Sequence, residues 1–144
     1  IDLYSGVGTF AVLMADRFQE IVAVEFSAAA VAAAVENGAG LEDRLTLIEA
    51  PAAEGLAWAL GETGGRKDDC ILLDPPRGGL DGRTLALLAG AAAGTMLYVS
   101  CDPATLARDS RRLLEAGWQL ESSQGLDLFP QTYHIESVNL FRRP

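Results

Sequence analysis

A chain of 144 residues, 49% of them hydrophobic, can bury the core of one domain spanning 1–144, so a disordered chain is excluded. No apolar run approaches the roughly 20 residues that cross a bilayer, and neither a membrane span nor a signal peptide is expected. The formal net charge of −9 lacks the basic surplus with which a self-sufficient nucleic-acid binder displaces counterions from phosphates.

Cys70 and Cys101 stand far apart, without a CxxC pair or a histidine cluster. That spacing argues against a metal site or a disulfide scaffold, and a reducing, cytoplasmic setting is expected. The chain begins at Ile1-Asp2-Leu3-Tyr4, which reads as the inside of a buried strand. A fragment of a longer protein is therefore expected, whose charge need not represent the parent.

Ile1 to Tyr4 is a short apolar run broken by Ser5-Gly6-Val7-Gly8, after which Phe10, Val12, Leu13 and Met14 recur at helical spacing. Ile21 to Val24 is a β-branched strand ending in Glu25, and Ser27 caps an alanine-rich helix that ends at Asn37-Gly38. Leu45 to Ile48 is a third strand, followed by a helix over Ala52 to Leu60. Gly61 to Lys67 is a polar turn. Cys70 to Leu73 forms a fourth strand that ends in Asp74-Pro75-Pro76-Arg77, and an apolar helix follows from about Thr84 to Ala92. Thr95 to Val99 is a fifth strand, and the helix after it starts at Asp102-Pro103 and stops at Gly117. Five strand-then-helix units with continuous apolar strands predict a parallel α/β sheet covered on both faces. Trp118 to Phe129 and Glu136 to Phe141 then follow one another without a helix, which predicts an antiparallel strand closing the sheet.

In open sheets of this kind ligands bind beyond the carboxyl ends of the strands, where four polar features fall: the Gly6/Gly8 turn, Glu25, Asp74 and Cys101. The turn has two glycines of the dinucleotide fingerprint, with Ala11 in the third place. Glu25 fits an acid that accepts hydrogen bonds from ribose hydroxyls, and equally a solvated acid at a strand end. Nicotinamide dinucleotide and S-adenosylmethionine both suit these residues. Asp74-Pro75-Pro76, rigid and extended, suits the positioning of a methyl acceptor and favours S-adenosylmethionine, although two prolines also simply end a strand. Cys101 sits just outside a helix N-terminus, where orphan N–H groups favour a thiolate and neighbouring Asp102 opposes it. A small buried hydrophobe is the plain alternative. His134 reads as a structural hydrogen bonder, and Glu136 as either a surface acid or the base that a nucleophilic Cys101 requires.

Together Asp2-Leu3-Tyr4-Ser5-Gly6-Val7-Gly8-Thr9-Phe10, Asp74-Pro75-Pro76-Arg77-Gly78-Gly79-Leu80, Ser100-Cys101-Asp102-Pro103-Ala104-Thr105-Leu106-Ala107-Arg108-Asp109 and Phe129 to Ser137 resemble the RNA uracil-C5 methyltransferases, which make 5-methyluridine in rRNA or tRNA. The likeness covers nearly the whole chain in order. It implies a Rossmann-like, doubly wound methyltransferase sheet, mostly parallel with a last antiparallel strand. It also implies S-adenosylmethionine held by Tyr4, Gly6, Thr9, Glu25 and Asp74, with Cys101 as nucleophile, Glu136 as the base for the C5 proton, and no metal. The expected partner is an RNA substrate, met by a monomer. Ser5 stands where the family often has Cys, Asp102 replaces the usual Asn, and Pro51 stands where a polar residue commonly contacts the adenine region. The family's upstream RNA-binding part and a further cofactor-contacting glutamine have no counterpart among these residues. An amino-group methyltransferase, a cytosine-C5 enzyme and a non-catalytic cofactor-binding domain remain as alternatives; the first usually has an aromatic residue at the place of Arg77.

Overall fold

Apolar runs alternating with alanine-rich stretches become strand followed by helix in the computed structural model, which describes residues 1–63 and 65–144. The chain divides into two units, Ile1–Thr63 and Gly64–Pro144.

The first unit contains β1 (Asp2–Leu3), α1 (Thr9–Leu13), a short 3-10 turn (Ala15–Arg17), β2 (Ile21–Glu25), α2 (Ala28–Asn37), β3 (Leu45–Glu49) and α3 (Ala52–Thr63). Its strands run in the order β3-β2-β1 and all are parallel, with Asp2 beside Ala23 and Ile21 beside Leu45. Central β2 is buried from Ile21 to Val24, as a strand covered on both faces should be. The spacing of Phe10, Val12, Leu13 and Met14 marks α1 correctly, but Leu13 is 76% exposed and the buried positions are Ala11 and Ala15. These alanines pack with Ile21 and Ala23, because small side chains let helix and strand approach closely.

The second unit contains β4 (Cys70–Leu73), α4 (Gly82–Gly90), β5 (Thr95–Ser100), α5 (Pro103–Glu115), β6 (Gln119–Leu126) and β7 (Glu136–Arg142). The strand order is β4-β5-β7-β6. β4 and β5 are parallel, whereas β7 is antiparallel to both β5 and β6. The last strand thus runs opposite to its neighbours as expected, but it does not close the sheet. It inserts between β5 and β6, because β7 buries Asn139 and Phe141 and gains a partner on each side, while polar, exposed β6 can stand at an edge. A register shift between Leu120 and Ser122 interrupts the pairing of that edge strand.

α4 starts two residues earlier than expected because the Asp81 side chain accepts from the backbone N–H groups of Arg83 and Thr84. Trp118, Tyr98, Phe141, Met96 and Leu113 are fully buried in this unit, each contributing about 1.5–3 kcal/mol through area removed from water. The Trp118 indole donates to the Leu88 carbonyl at 3.0 Å, and the Arg143 guanidinium lies 4.7 Å above its ring. No helix among the described residues is long and apolar enough to cross a membrane.

Candidate active site

In the first unit the turn after β1 bends through three residues in the left-handed region: Tyr4 at φ 60°, Gly6 at φ 54° and Gly8 at φ 81°. Glycine adopts this conformation freely, whereas at Tyr4 it costs about 1–3 kcal/mol, a strain typical of functional turns. A Cβ on Gly8 would lie 3.3 Å from that of Ala34, so glycine also lets α2 come against the turn. The turn carries an N–H to an acid: Gly6 donates to Glu25 Oε2 at 3.0 Å, and Ser27 donates to Glu25 Oε1 at 2.8 Å. Half-buried Glu25 is thereby fixed at the end of β2, and each oxygen keeps a further lone pair. Such a carboxylate suits a ligand with two neighbouring hydroxyls. Buried Asp2 accepts from the Ala11 N–H at 3.1 Å and ties β1 to α1, while Thr9 stands exposed at the first position of α1.

In the second unit the antiparallel register brings two predicted residues together. Ser100 pairs with Ser137 across β5 and β7, and the next residues beyond that rung are Cys101, just past the end of β5, and Glu136, the first residue of β7. Both are half-buried. Leu73 pairs with Tyr98, so Asp74 leaves β4 toward the same end of these strands. Partial burial of its carboxyl and, secondarily, the charge of Glu136 raise the Asp74 pKa above the ordinary carboxylate value.

Cys101 is held by its neighbours. The Asp102 N–H donates to Ser100 Oγ at 3.2 Å, Ser100 Oγ donates to the Asp102 carbonyl at 3.1 Å, and Asp102 caps α5 by accepting from the Thr105 N–H at 2.8 Å. That N–H bond, with a smaller contribution from the Arg77 charge, holds the Asp102 carboxyl below its ordinary range. The thiol therefore immediately precedes the cap of a 13-residue helix. Burial pushes the thiol of Cys70 up, which leaves it the less reactive form. His134 accepts a hydrogen bond from Arg77 at Nδ1, 2.8 Å away, and so has the structural partner expected of it.

Residues without a role in the sequence reading complete this unit. Asp109 is fully buried and its Oδ2 accepts from the Leu80 N–H and the Tyr98 hydroxyl, each at 2.9 Å. Its Oδ1 pairs with Arg108, whose Nη2 also donates to the carbonyls of Gly78 and Leu80. A Cβ on Gly79, at φ 71°, would fall 2.6 Å from Asp109 Oδ2. Arg108, Asp109 and Gly79 thus clamp the Asp74–Leu80 segment to α5, and Thr105 adds a hydroxyl bond to the Arg77 carbonyl at 3.2 Å. The signal was an aspartate on the buried face of an amphipathic helix, a place where an unpaired acid is too costly to survive. A second network fixes the rung itself: Asn139 donates to the Tyr98 carbonyl and to Ser137 Oγ, each at 3.0 Å, and accepts from Ser123 Oγ at 2.6 Å.

The family described as tRNA (Uracil-5-)-methyltransferase matches residues 1–143. The chain belongs to this family. An uncharacterized RNA methyltransferase of Treponema denticola is 38% identical over 99% of this chain and 38% of its own length. A 23S rRNA (uracil(1939)-C(5))-methyltransferase of Pseudomonas fluorescens is 41% identical over 98% of this chain and 31% of its own. The crystal structure of Pyrococcus abyssi tRNA (uracil-54, C5)-methyltransferase, in complex with S-adenosyl-L-homocysteine, matches with a TM-score of 0.80 and 31% identity over 97% of this chain and 33% of that one. The fold is thus the Rossmann-like methyltransferase class, and the chain spans about a third of the length of the relatives it matches.

Proposed function

We propose that this chain is the catalytic domain of an S-adenosylmethionine-dependent methyltransferase that methylates C5 of a uridine in rRNA or tRNA through a covalent Cys101 adduct. The observation that carries the reading is the neighbourhood of Cys101 and Glu136, thiol and carboxylate one residue beyond the Ser100–Ser137 rung. Membership of the family supports the same chemistry, and its named relatives act on both classes of RNA.

S-adenosylmethionine supplies an electrophilic methyl group. Tyr4, Gly6, Thr9 and Glu25 are the residues proposed to hold it, and the family likeness assigns Asp74 to it as well. The spare lone pairs of Glu25, after its bonds from Gly6 and Ser27, fit the two ribose hydroxyls.

C5 of uracil is too weak a nucleophile to take a methyl group from sulfur unaided. The Cys101 thiolate adds to C6, forming an S–C6 bond and driving the ring electrons toward C5 and O4. C5, now carbanion-like, would take the methyl group as the methyl–sulfur bond breaks, its electron pair staying on the departing S-adenosylhomocysteine. Glu136 accepts the C5 proton, the C–H electron pair restores the C5–C6 double bond, and the Cys101 thiolate leaves. A base buried in a stack cannot reach a thiol, so the uridine is extruded before it reacts.

The test uses full-length protein, S-adenosylmethionine and RNA carrying 5-fluorouridine, whose C5 holds no removable proton. A covalent protein–RNA adduct should accumulate on a denaturing gel, and Cys101→Ala should abolish it, with turnover on ordinary RNA falling roughly 10⁴-fold or more. An adduct that survives Cys101→Ala would overturn the nucleophile. Mass spectrometry of the modified nucleoside separates uridine from cytosine and amino-group products.

A further inference from the structure

The loop between β6 and β7 holds large apolar side chains out in solvent: Phe129 is 50% exposed and Tyr133 is 88% exposed, at a place where an ordinary loop carries small polar residues. They are organised around His134. The Tyr133 ring lies tilted on the imidazole at a centroid distance of 4.2 Å, and Phe129 meets it edge-on at 6.2 Å. Arg77 Nη2 lies 2.8 Å from His134 Nδ1 and is the donor, since a guanidinium has no acceptor. Arg77 is itself exposed, and its charge also acts on Asp102.

The loop is also braced. Thr132 Oγ1 donates to the Phe129 carbonyl at 2.7 Å and accepts from the His134 N–H at 3.2 Å. Gln131 is held at φ 69°, which costs a non-glycine residue about 1–3 kcal/mol and persists only where its surroundings impose it. Two aromatic faces and a cation are therefore presented in a preformed arrangement. His134 lies two residues before Glu136, at most about 7 Å along the chain from the proposed base.

We propose that Phe129, Tyr133, His134 and Arg77 form a stacking shelf for an unpaired RNA nucleotide adjoining the uridine that reacts. The inference rests on the RNA reading above. Aromatic faces take bases of any sequence, and Arg77 supplies the positive charge for the adjoining phosphate. That charge matters locally because the chain as a whole is acidic. Extruding one base removes its neighbour's stacking partner, and Tyr133 offers a replacement surface to that neighbour.

The experiment measures binding of full-length protein to a single-stranded RNA of about ten nucleotides, within the range of known single-strand sites, with 2-aminopurine beside the reactive uridine. Wild-type protein should quench the 2-aminopurine. Tyr133→Ala should weaken binding about 5- to 150-fold and lose the quenching, as removal of a stacking aromatic does, while Tyr133→Phe should retain both. Trp58→Ala removes an aromatic that is exposed elsewhere, in α3, and should leave affinity unchanged. Wild-type affinity and quenching in Tyr133→Ala, or an equal loss in Trp58→Ala, would overturn the shelf. So would a Tyr133→Ala protein that keeps its RNA affinity but changes its sedimentation, since the loop would then be a protein contact. Wild-type protein that binds and quenches without methylating would instead defeat the uridine reading and leave the shelf standing.

Discussion

The two units hold their acids by different means. In Ile1–Thr63 the key carboxylate, Glu25, is fixed by two backbone N–H groups, from Gly6 and Ser27, over a core in which alanines let helix and strand approach. In Gly64–Pro144 the buried acid Asp109 is fixed by an arginine, a tyrosine hydroxyl and a loop N–H, over a core of large side chains. Backbone donors come with the turn itself and leave carboxylate lone pairs free for a ligand. A buried side-chain network is satisfied internally, so it serves positioning and has nothing left to bind with. The difference separates a residue suited to hold a cofactor from one suited to hold a loop.

Substitutions can break this contrast, and the largest effect is expected at Asp109. Asp109→Ala strips acceptors from Tyr98, Leu80 and Arg108 at once and should cost about 3 kcal/mol or more in denaturant unfolding, with methylation falling as the Asp74–Leu80 segment loosens. Unchanged stability would show that the network is incidental. Glu25→Ala should act more on binding than on folding: a smaller stability loss of about 1–2 kcal/mol for its two N–H bonds, with the dissociation constant for S-adenosylmethionine rising roughly 10- to 100-fold in calorimetry. Equal affinity would remove Glu25 from the cofactor site.

The smallest effect is a pH-dependent one. Hydrogen bonds from the Thr84 hydroxyl and backbone, chiefly, hold the Asp81 pKa below its ordinary 3.8. A lowered folded-state value means that this cap stabilises fully above that pH and loses its contribution as the pH falls through the folded value. Asp81→Ala should therefore cost about 1 kcal/mol at neutral pH and progressively less in acid. A cost independent of pH would mean that the charge of the cap is irrelevant.

Much of this was legible in the residues. Helix and strand identities followed from period and caps, and Ser27, Asp102-Pro103 and Gly117 behave as their types require. Gly6 and Glu25 stand out as candidates because a glycine turn before a helix and an acid at the end of the next strand are local signals, whereas Tyr4 is a candidate only through the family likeness. The orientation of Ala11 and Ala15 toward the core was missed, since the larger neighbours Val12 and Leu13 dominate the periodicity, yet close packing here requires the smaller side chains. The insertion of β7 between β5 and β6 was also missed, because two consecutive extended segments give no indication of which one takes the edge.

The sequence alone determined the order of strands and helices and the turn chemistry, because each depends on residues near it in the chain; it offered Cys101, Asp74 and Glu25 as candidates at strand ends, and Glu136 through Cys101 and the family likeness. Tertiary structure decided that Cys101 and Glu136 flank the same rung, that Asp109 satisfies Leu80 and Tyr98, and that His134 answers Arg77. Those pairings join residues 11 to 57 positions apart. No local preference encodes them; strand register and the cost of leaving a buried polar group unpaired do.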